Sequence, residues 1–304
     1  MAISAKDVME LRKQTDCGMM ECKKALTQAD GDFEKAIEIL REQGLAAANK
    51  KAGRIAAEGM VYAVSFDNCA VVVEVNAETD FVAKNDKFVE FTKNLAKVVA
   101  DENPADVEAL MACKMGEGTV DDALKALILV IKENIKVRRF TRYEGVCSAY
   151  VHGGGTHGIL VNFETTNGIE AKDEFVTYGK DIAMQVAAAN PGYVDEASVP
   201  AEVVAKEKEI MLAQMAGDPK TANKPEAVKQ KMIEGKIKKF FKENCLVDQE
   251  FVKDSDLTVA QYTAKVAKDL GGDIKIVKFT RFQKGEGLEK RADDFAAEVA
   301  SMVK

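Results

Sequence analysis

Residues 71–91 read VVVEVNAETDFVAKNDKFVEF. The apolar run ends at Val75, a helical pattern starts near Asp86, and Asp80 and Phe81 stand side by side in the polar loop between them. A large ring in so short a loop must either fold back onto its own core, against Phe88 or Phe91, or meet a pocket in a partner. Upstream, MVYAVSF, a turn at Asp67-Asn68 and CAVVVEV alternate with period two, which predicts a β-hairpin. Downstream, Phe88, Phe91, Leu95 and Val98/Val99 recur at helical spacing to about Ala100, and two more helices are expected near 104–114 and 119–133.

This unit occurs twice. Glu58-Gly59 recurs at 144–145, and EVNAET (74–79) matches LVNFET (160–165), so Asn76 corresponds to Asn162 at 162 − 76 = 86. One residue is then added, and KFVEFTKNLAKVVA (87–100) matches EFVTYGKDIAMQVA (174–187) at 175 − 88 = 87. Such self-similarity marks a duplicated supersecondary unit. The scaffold positions match, but TDFVAKND in the first copy is TTNGIEAKD in the second. A ring needed only for packing would tend to be kept in both, so the divergence favours a functional Phe81.

Around this core, residues 1–45 read as a three-helix module, with Ser4 as a cap, Val8 and Leu11 on one face, and Phe33, Ala36, Ile37 and Leu40 leading to a stop at Gly44. Some forty residues make a marginal core, so such a module is expected to be an interaction unit tethered by an alanine-rich, charged and partly helical linker over 46–58. The duplicated core is expected over 59–143 and 144–199, a pair of amphipathic helices forming an antiparallel hairpin over 200–244, a return to the core over 245–285 and a last helix over 286–304. The hairpin suits either self-association or packing on its own body. RRFTRYEG (138–145) and VKFTRF (277–282) are expected to be paired strands of one sheet. The fold class is α+β.

Hydrophobic residues at 47% and charged residues at 31% of 304 describe an ordered chain with more than one core. No apolar run reaches the roughly 20 residues of a membrane span, and charges occupy the place of a signal-peptide core, so a cytosolic address and no membrane partner are expected. A net charge of −7 argues against nucleic acid as a partner. The six cysteines form no C-x-x-C pair, and His152 and His157 flank a glycine turn, so neither a metal nor another cofactor is expected. No nucleophile–base pair, carboxylate pair or phosphate cradle is legible, which points to a protein acting by binding rather than an enzyme.

The stretches LRKQTDCGMMECKKAL (11–26), AETDFVAKND (77–86), IKENIKVRRF (131–140) and DFAAEVA (294–300), in that order, resemble the elongation factor Ts family over nearly the whole chain. The resemblance implies a nucleotide-exchange factor for elongation factor Tu, in which Thr79, Asp80, Phe81 and Val82 disturb the partner's Mg²⁺ site. It further implies that the N-terminal module, similar to ubiquitin-associated domains, grips the GTPase domain through Arg12, Met19 and Met20. The second core copy would meet another domain of the partner, and the helical hairpin could join two copies of the chain. Two positions depart from the family pattern: Asp16 stands where many relatives have glycine, in a turn expected to survive, and Gln185 where some have histidine. The alternative reading is a non-catalytic adaptor for ubiquitin-like folds or nascent chains.

Overall fold

A computed structural model describes residues 3–15, 17–222 and 224–290; Asp16, and the last helix expected over 286–304 from residue 291 on, lie outside the described residues. The chain opens with α1 (Ala5–Thr15), α2 (Met19–Gln28) and α3 (Phe33–Lys51). Ser4 and Asp7 exchange bonds at the start of α1, the Asp7 N–H donating to Ser4 Oγ at 3.2 Å and the Ser4 N–H to Asp7 Oδ2 at 3.0 Å. Two orphan donors of the first turn are thereby satisfied.

A first core unit follows: β1 (Glu58–Ser65), β2 (Cys69–Ala77), a 3-10 turn (Val82–Lys84), α4 (Asp86–Glu102), α5 (Val107–Ala112), β3 (Lys114–Met115), β4 (Gly118–Thr119), α6 (Val120–Ile131) and β5 (Lys136–Glu144). The second unit has β6 (Val146–His152), β7 (His157–Thr165), a 3-10 turn (Ile169–Ala171) and α7 (Asp173–Ala189). After it come α8 (Ala201–Gly217), α9 (Pro219–Ala222) and α10 (Glu226–Asn244), then β8 (Glu250–Phe251), β9 (Asp254–Thr258), α11 (Val259–Leu270) and β10 (Ile274–Gln283). Helix and sheet together make the α+β fold that the sequence predicts. None of these helices is long and apolar enough to cross a membrane.

Each unit carries a three-stranded antiparallel sheet, ordered β1-β2-β5 in the first and β6-β7-β10 in the second. The strands 138–145 and 277–282 are therefore not paired with each other. They resemble one another because each is the third strand of its own unit, and they meet only across the sheets, where Tyr143 Oη lies 2.6 Å from Thr280 Oγ1. The duplication also runs further than the sequence comparison traced it. Helices α4 and α7 are both 17 residues long, 173 − 86 = 87 apart, and both end on a left-handed asparagine, Asn103 and Asn190. Helices α6 and α11 are both 12 residues long, 259 − 120 = 139 apart. Each starts with a capping box, Thr119/Asp122 or Thr258/Gln261, and each ends on a left-handed residue, Lys132 or Gly271. The difference, 139 − 87 = 52 residues, is the net insertion that α8–α10 make in the second unit.

The strand β2 is buried along its whole length, which explains the unbroken VVV. Val71, Val73 and Val75 pack with Phe88, Leu95 and Val99 of α4, whereas Ala70 and Val72 face Val61, Leu160 and Phe282 between the sheets. Gly158 lets the sheets approach, since a Cβ there would lie 2.4 Å from Val61 Cγ1. The repeated Asn76 and Asn162 do the same work: each Nδ2 donates to the carbonyl of the glutamate that opens its unit, Glu58 at 3.1 Å and Glu144 at 3.0 Å.

The helix α3 corrects one expectation. It does not stop at Gly44 but runs on to Lys51, through the boundary at 45 and into the alanine-rich stretch. Alanine favours the continuing helix, and Gly44 marks a close crossing: a Cβ there would stand 3.2 Å from the Lys125 carbonyl oxygen on α6. Leu129 of α6 packs into the module's core, and Ala47 and Ala48 pack into that of the first unit. A core of only three helices is marginal alone, and this shared burial docks the module.

Candidate functional site

The loop after β2 is built from both ends inward. Glu78 accepts from the Asn134 N–H at 2.6 Å and faces Arg54 Nη1 at 3.3 Å. Thr79 then gives two bonds to one carboxylate, its N–H to Glu133 Oε2 at 2.9 Å and its hydroxyl to Glu133 Oε1 at 2.7 Å. On the far side Val82 is buried in the first unit's core, and Asn85 caps α4 by accepting from the Lys87 N–H at 3.0 Å. Between these anchors stand Asp80, exposed, and Phe81. The Phe81 ring is 78% exposed, more than any other large apolar side chain among the described residues. It does not tuck against Phe88 or Phe91, whose rings are themselves covered. Leaving such a ring in water forgoes roughly 1.5–3 kcal/mol of burial. Of the four predicted loop residues, two thus face outward and two, Thr79 and Val82, fasten the loop.

The matching loop of the second unit presents nothing comparable. Position 81 + 87 = 168 is Gly168, left-handed like Asn167 before it, while Ile169 is buried where Val82 is. That loop is held by the turn before β10: the Thr166 N–H donates to the Asp273 carbonyl at 3.2 Å, and the Asp273 N–H to Thr166 Oγ1 at 2.8 Å.

On the module, Met19 (49%) and Met20 (61%) at the start of α2 are exposed, as is Arg12 on α1. Met9, 63% exposed and three residues before Arg12 on the same helical face, escaped the sequence reading; its i, i+3 spacing was the available signal. The structure brings the module and the loop to one place. Lys132 Nζ lies 3.5 Å from Glu21 Oε1, one residue beyond Met20, while the adjacent Glu133 holds Thr79. Gln185 belongs to neither surface. It is fully buried, donating to Gln249 Oε1 and the Glu250 carbonyl, both at 3.1 Å, and accepting from the Val252 N–H at 2.8 Å. It fastens β8 to α7.

The module's thiols face inward: burial pushes Cys17 and Cys22 above the ordinary cysteine range, which favours the unreactive protonated form. His157 is held below the usual histidine range by burial, then by the nearby Arg281. Among the described residues no cluster of three His, Cys, Asp or Glu side chains is arranged to hold a metal ion. What the loop and module offer chemically is contact: an exposed ring, an adjacent carboxylate and a methionine surface on one side of the first unit.

Comparison with known proteins yields a consistent result. The profile of the family described as Elongation factor TS matches residues 78–286. The chain is 48% identical to the elongation factor Ts of Syntrophotalea carbinolica over 309 aligned residues, covering all of both chains. It is 50% identical to that of Clostridium novyi, over 98% of this chain and 97% of the relative, and 48% identical to that of Clostridium acetobutylicum over the same shares.

Proposed function

The chain belongs to the elongation factor Ts family of translation elongation factors, and from that premise we propose that it is a guanine-nucleotide exchange factor for elongation factor Tu, acting by binding and without catalytic side chains of its own. The observation that carries the reading is the 78% exposed Phe81 held between fixed points. The loop is ordered before binding, so little conformational entropy is lost when it docks. Phe81 enters an apolar pocket of the partner's GTPase domain while the Asp80 carboxylate competes for the neighbourhood of its Mg²⁺. That ion carries much of the charge that holds the nucleotide phosphates, so displacing it loosens GDP. Affinity for the nucleotide falls by the factor by which the nucleotide weakens this complex, as linkage requires. Arg12, Met19 and Met20 grip the same partner, and the second unit meets another of its domains.

The test is stopped-flow release of a fluorescent GDP from elongation factor Tu at fixed Mg²⁺. The wild-type chain is expected to accelerate release strongly. The Phe81→Ala variant should lose roughly thirtyfold, the loss typical of a buried aromatic anchor, and Asp80→Ala should lose less. If the wild-type chain binds without accelerating release, exchange is excluded and the adaptor reading replaces it.

A further inference from the structure

The exposed loop is held by residues that make no part of the predicted contact surface, and they lie together on one turn. Lys132, in the left-handed conformation that ends α6, is followed by Glu133 and the buried Asn134. Glu133 takes both bonds from Thr79, and Asn134 gives its N–H to Glu78 and its Nδ2 to the Arg54 carbonyl at 2.6 Å. Helix α6 itself docks the module through Lys125 against Gly44 and through Leu129. The 3.5 Å pair between Lys132 and Glu21 is exposed on the lysine side and adds little to that docking.

The duplicated unit supplies an internal control. At the α6/α11 offset, 133 + 139 = 272 is Gly272, whose missing side chain lets the Thr166 carbonyl come within 2.7 Å of where a Cβ would be. The second loop is held by this close backbone approach together with side-chain bonds, from the Thr165 hydroxyl (79 + 86 = 165) to Glu170 Oε2 at 2.8 Å and from the Thr166 hydroxyl to Asp273 Oδ2 at 3.3 Å, and it carries Gly168 in place of the ring. The glutamate and the exposed ring are present together in one unit and absent together from the other. Carboxylates thus meet both loops, but among the described residues only Glu133 takes the N–H and the hydroxyl of one loop threonine together.

We propose that Glu133 is a positioning residue: by binding the N–H and hydroxyl of Thr79 it aims Phe81, and the turn after α6 fixes the ring relative to the methionine surface of the module. This rests on the exchange reading for its consequence and on the loop geometry for its cause, so the two are tested separately. In the free chain, exchange of the Thr79 amide hydrogen, followed by NMR, is expected to speed up about tenfold or more in Glu133→Ala and to stay near the wild-type value in Glu133→Gln, whose amide oxygen still accepts. Unchanged exchange in Glu133→Ala overturns the proposal without reference to any partner. With elongation factor Tu, Glu133→Ala should lower the maximal rate of GDP release about tenfold while shifting the half-saturating concentration less than about threefold, and Glu133→Gln should recover most of the rate. In a Phe81→Ala background the same change should cost less than about twofold, because the ring it aims is gone. An undiminished effect there would show that Glu133 acts elsewhere and would overturn the proposal. A wild-type chain that leaves GDP release unchanged, with amide exchange behaving as expected, sinks the exchange reading and leaves the positioning of the loop standing.

Discussion

Phe81 and Val82 are chain neighbours with opposite surroundings, and the difference separates the proposed contact from stability. Phe81→Ala removes a ring that touches water, so thermal unfolding should move by less than about 0.5 kcal/mol while the exchange activity falls. Val82→Ala removes two methyl groups from a site 5% exposed, and about 2 kcal/mol of stability should go with them. A calorimetric scan of the two variants checks the contrast; equal destabilisation would mean that the ring packs on the protein in solution. Cys245 supplies a pH dependence. Burial, and then the charges of Asp248, Glu196 and Asp195, push its thiol from 9.0 up to about 11. The unfolded thiol ionises near pH 9 while the folded one keeps its proton, so the native state binds more protons in that window and stability falls as pH rises. The contribution is full below pH 9 and gone once pH passes 11. Urea midpoints at pH 8, 9.5 and 11 should fall more steeply for the wild-type chain than for Cys245→Ala.

Among elements, the crossing of α3 over α6 at Gly44 decides whether the module is docked or loose. Alanine at a helix-interior glycine gains roughly 0.5–1 kcal/mol of propensity, but a Cβ at Gly44 would lie 3.2 Å from the Lys125 carbonyl oxygen and 3.3 Å from its carbon, which are backbone and cannot swing aside. Valine adds two γ-methyls to that contact, so Gly44→Val should destabilise by about 1–3 kcal/mol net and raise the concentration of chain needed for half-maximal exchange. Urea unfolding and a titration against elongation factor Tu check both. This crossing also shows what the sequence could convey. The amphipathic spacing of 86–100 and 174–187 and the alternation of 60–75 are local, and both were legible. So was the exposure of Phe81, because an unmatched ring in a matched repeat is a local contrast. Gly44 looked like a helix stop because glycine usually is one; that it instead makes room for Lys125 depends on a contact 81 residues away (125 − 44). The third strands were misassigned for a related reason: RRFTR and KFTRF are alike by descent from one unit, and likeness between strands does not imply pairing. The Thr-Val at 119–120 and 258–259 was the overlooked sign that α6 and α11 repeat.

At the scale of the whole molecule, one buried carboxylate joins the two units. Glu74, on β2, is fully covered, 3.0 Å from Arg138 Nη1 and 2.6 Å from Arg139 Nε, and accepts the Gly285 N–H at 2.8 Å from the segment after β10. Its counterpart at 74 + 86 = 160 is Leu160, packed between the sheets, so the units meet through unlike groups at like positions. Glu74→Ala would leave two largely covered guanidinium groups without this carboxylate, Arg139 keeping its more exposed ion pair with Glu286 at 3.2 Å, and a loss of about 3 kcal/mol is expected in urea unfolding.

The inserted helices behave differently, because the second unit closes beneath them. The Gly192 and Tyr193 N–H groups both donate to the Asn244 carbonyl, the Leu246 N–H donates to that of Tyr193 at 2.8 Å, and Tyr193 and Cys245 form an isolated parallel bridge, so the chain leaves and re-enters the unit at adjacent points. The helices α8 and α10 bury Met215, Ile233 and Ile237 mainly against each other, in a cluster separate from those of the sheets. Replacing residues 200–243 by a Gly/Ser linker of about ten residues, which spans roughly 17 Å, should therefore leave one cooperative transition, with its midpoint within about 5 °C of the full chain. Ile210, Leu212 and Val228 stay exposed on the two helices of the intact chain, so light scattering on the same pair of samples reads any self-association through them. A shortened chain that unfolds in two steps would mean that α8 and α10 brace the second unit rather than stand on it. A cooperative but slower exchange factor would instead place part of the partner contact on the inserted helices.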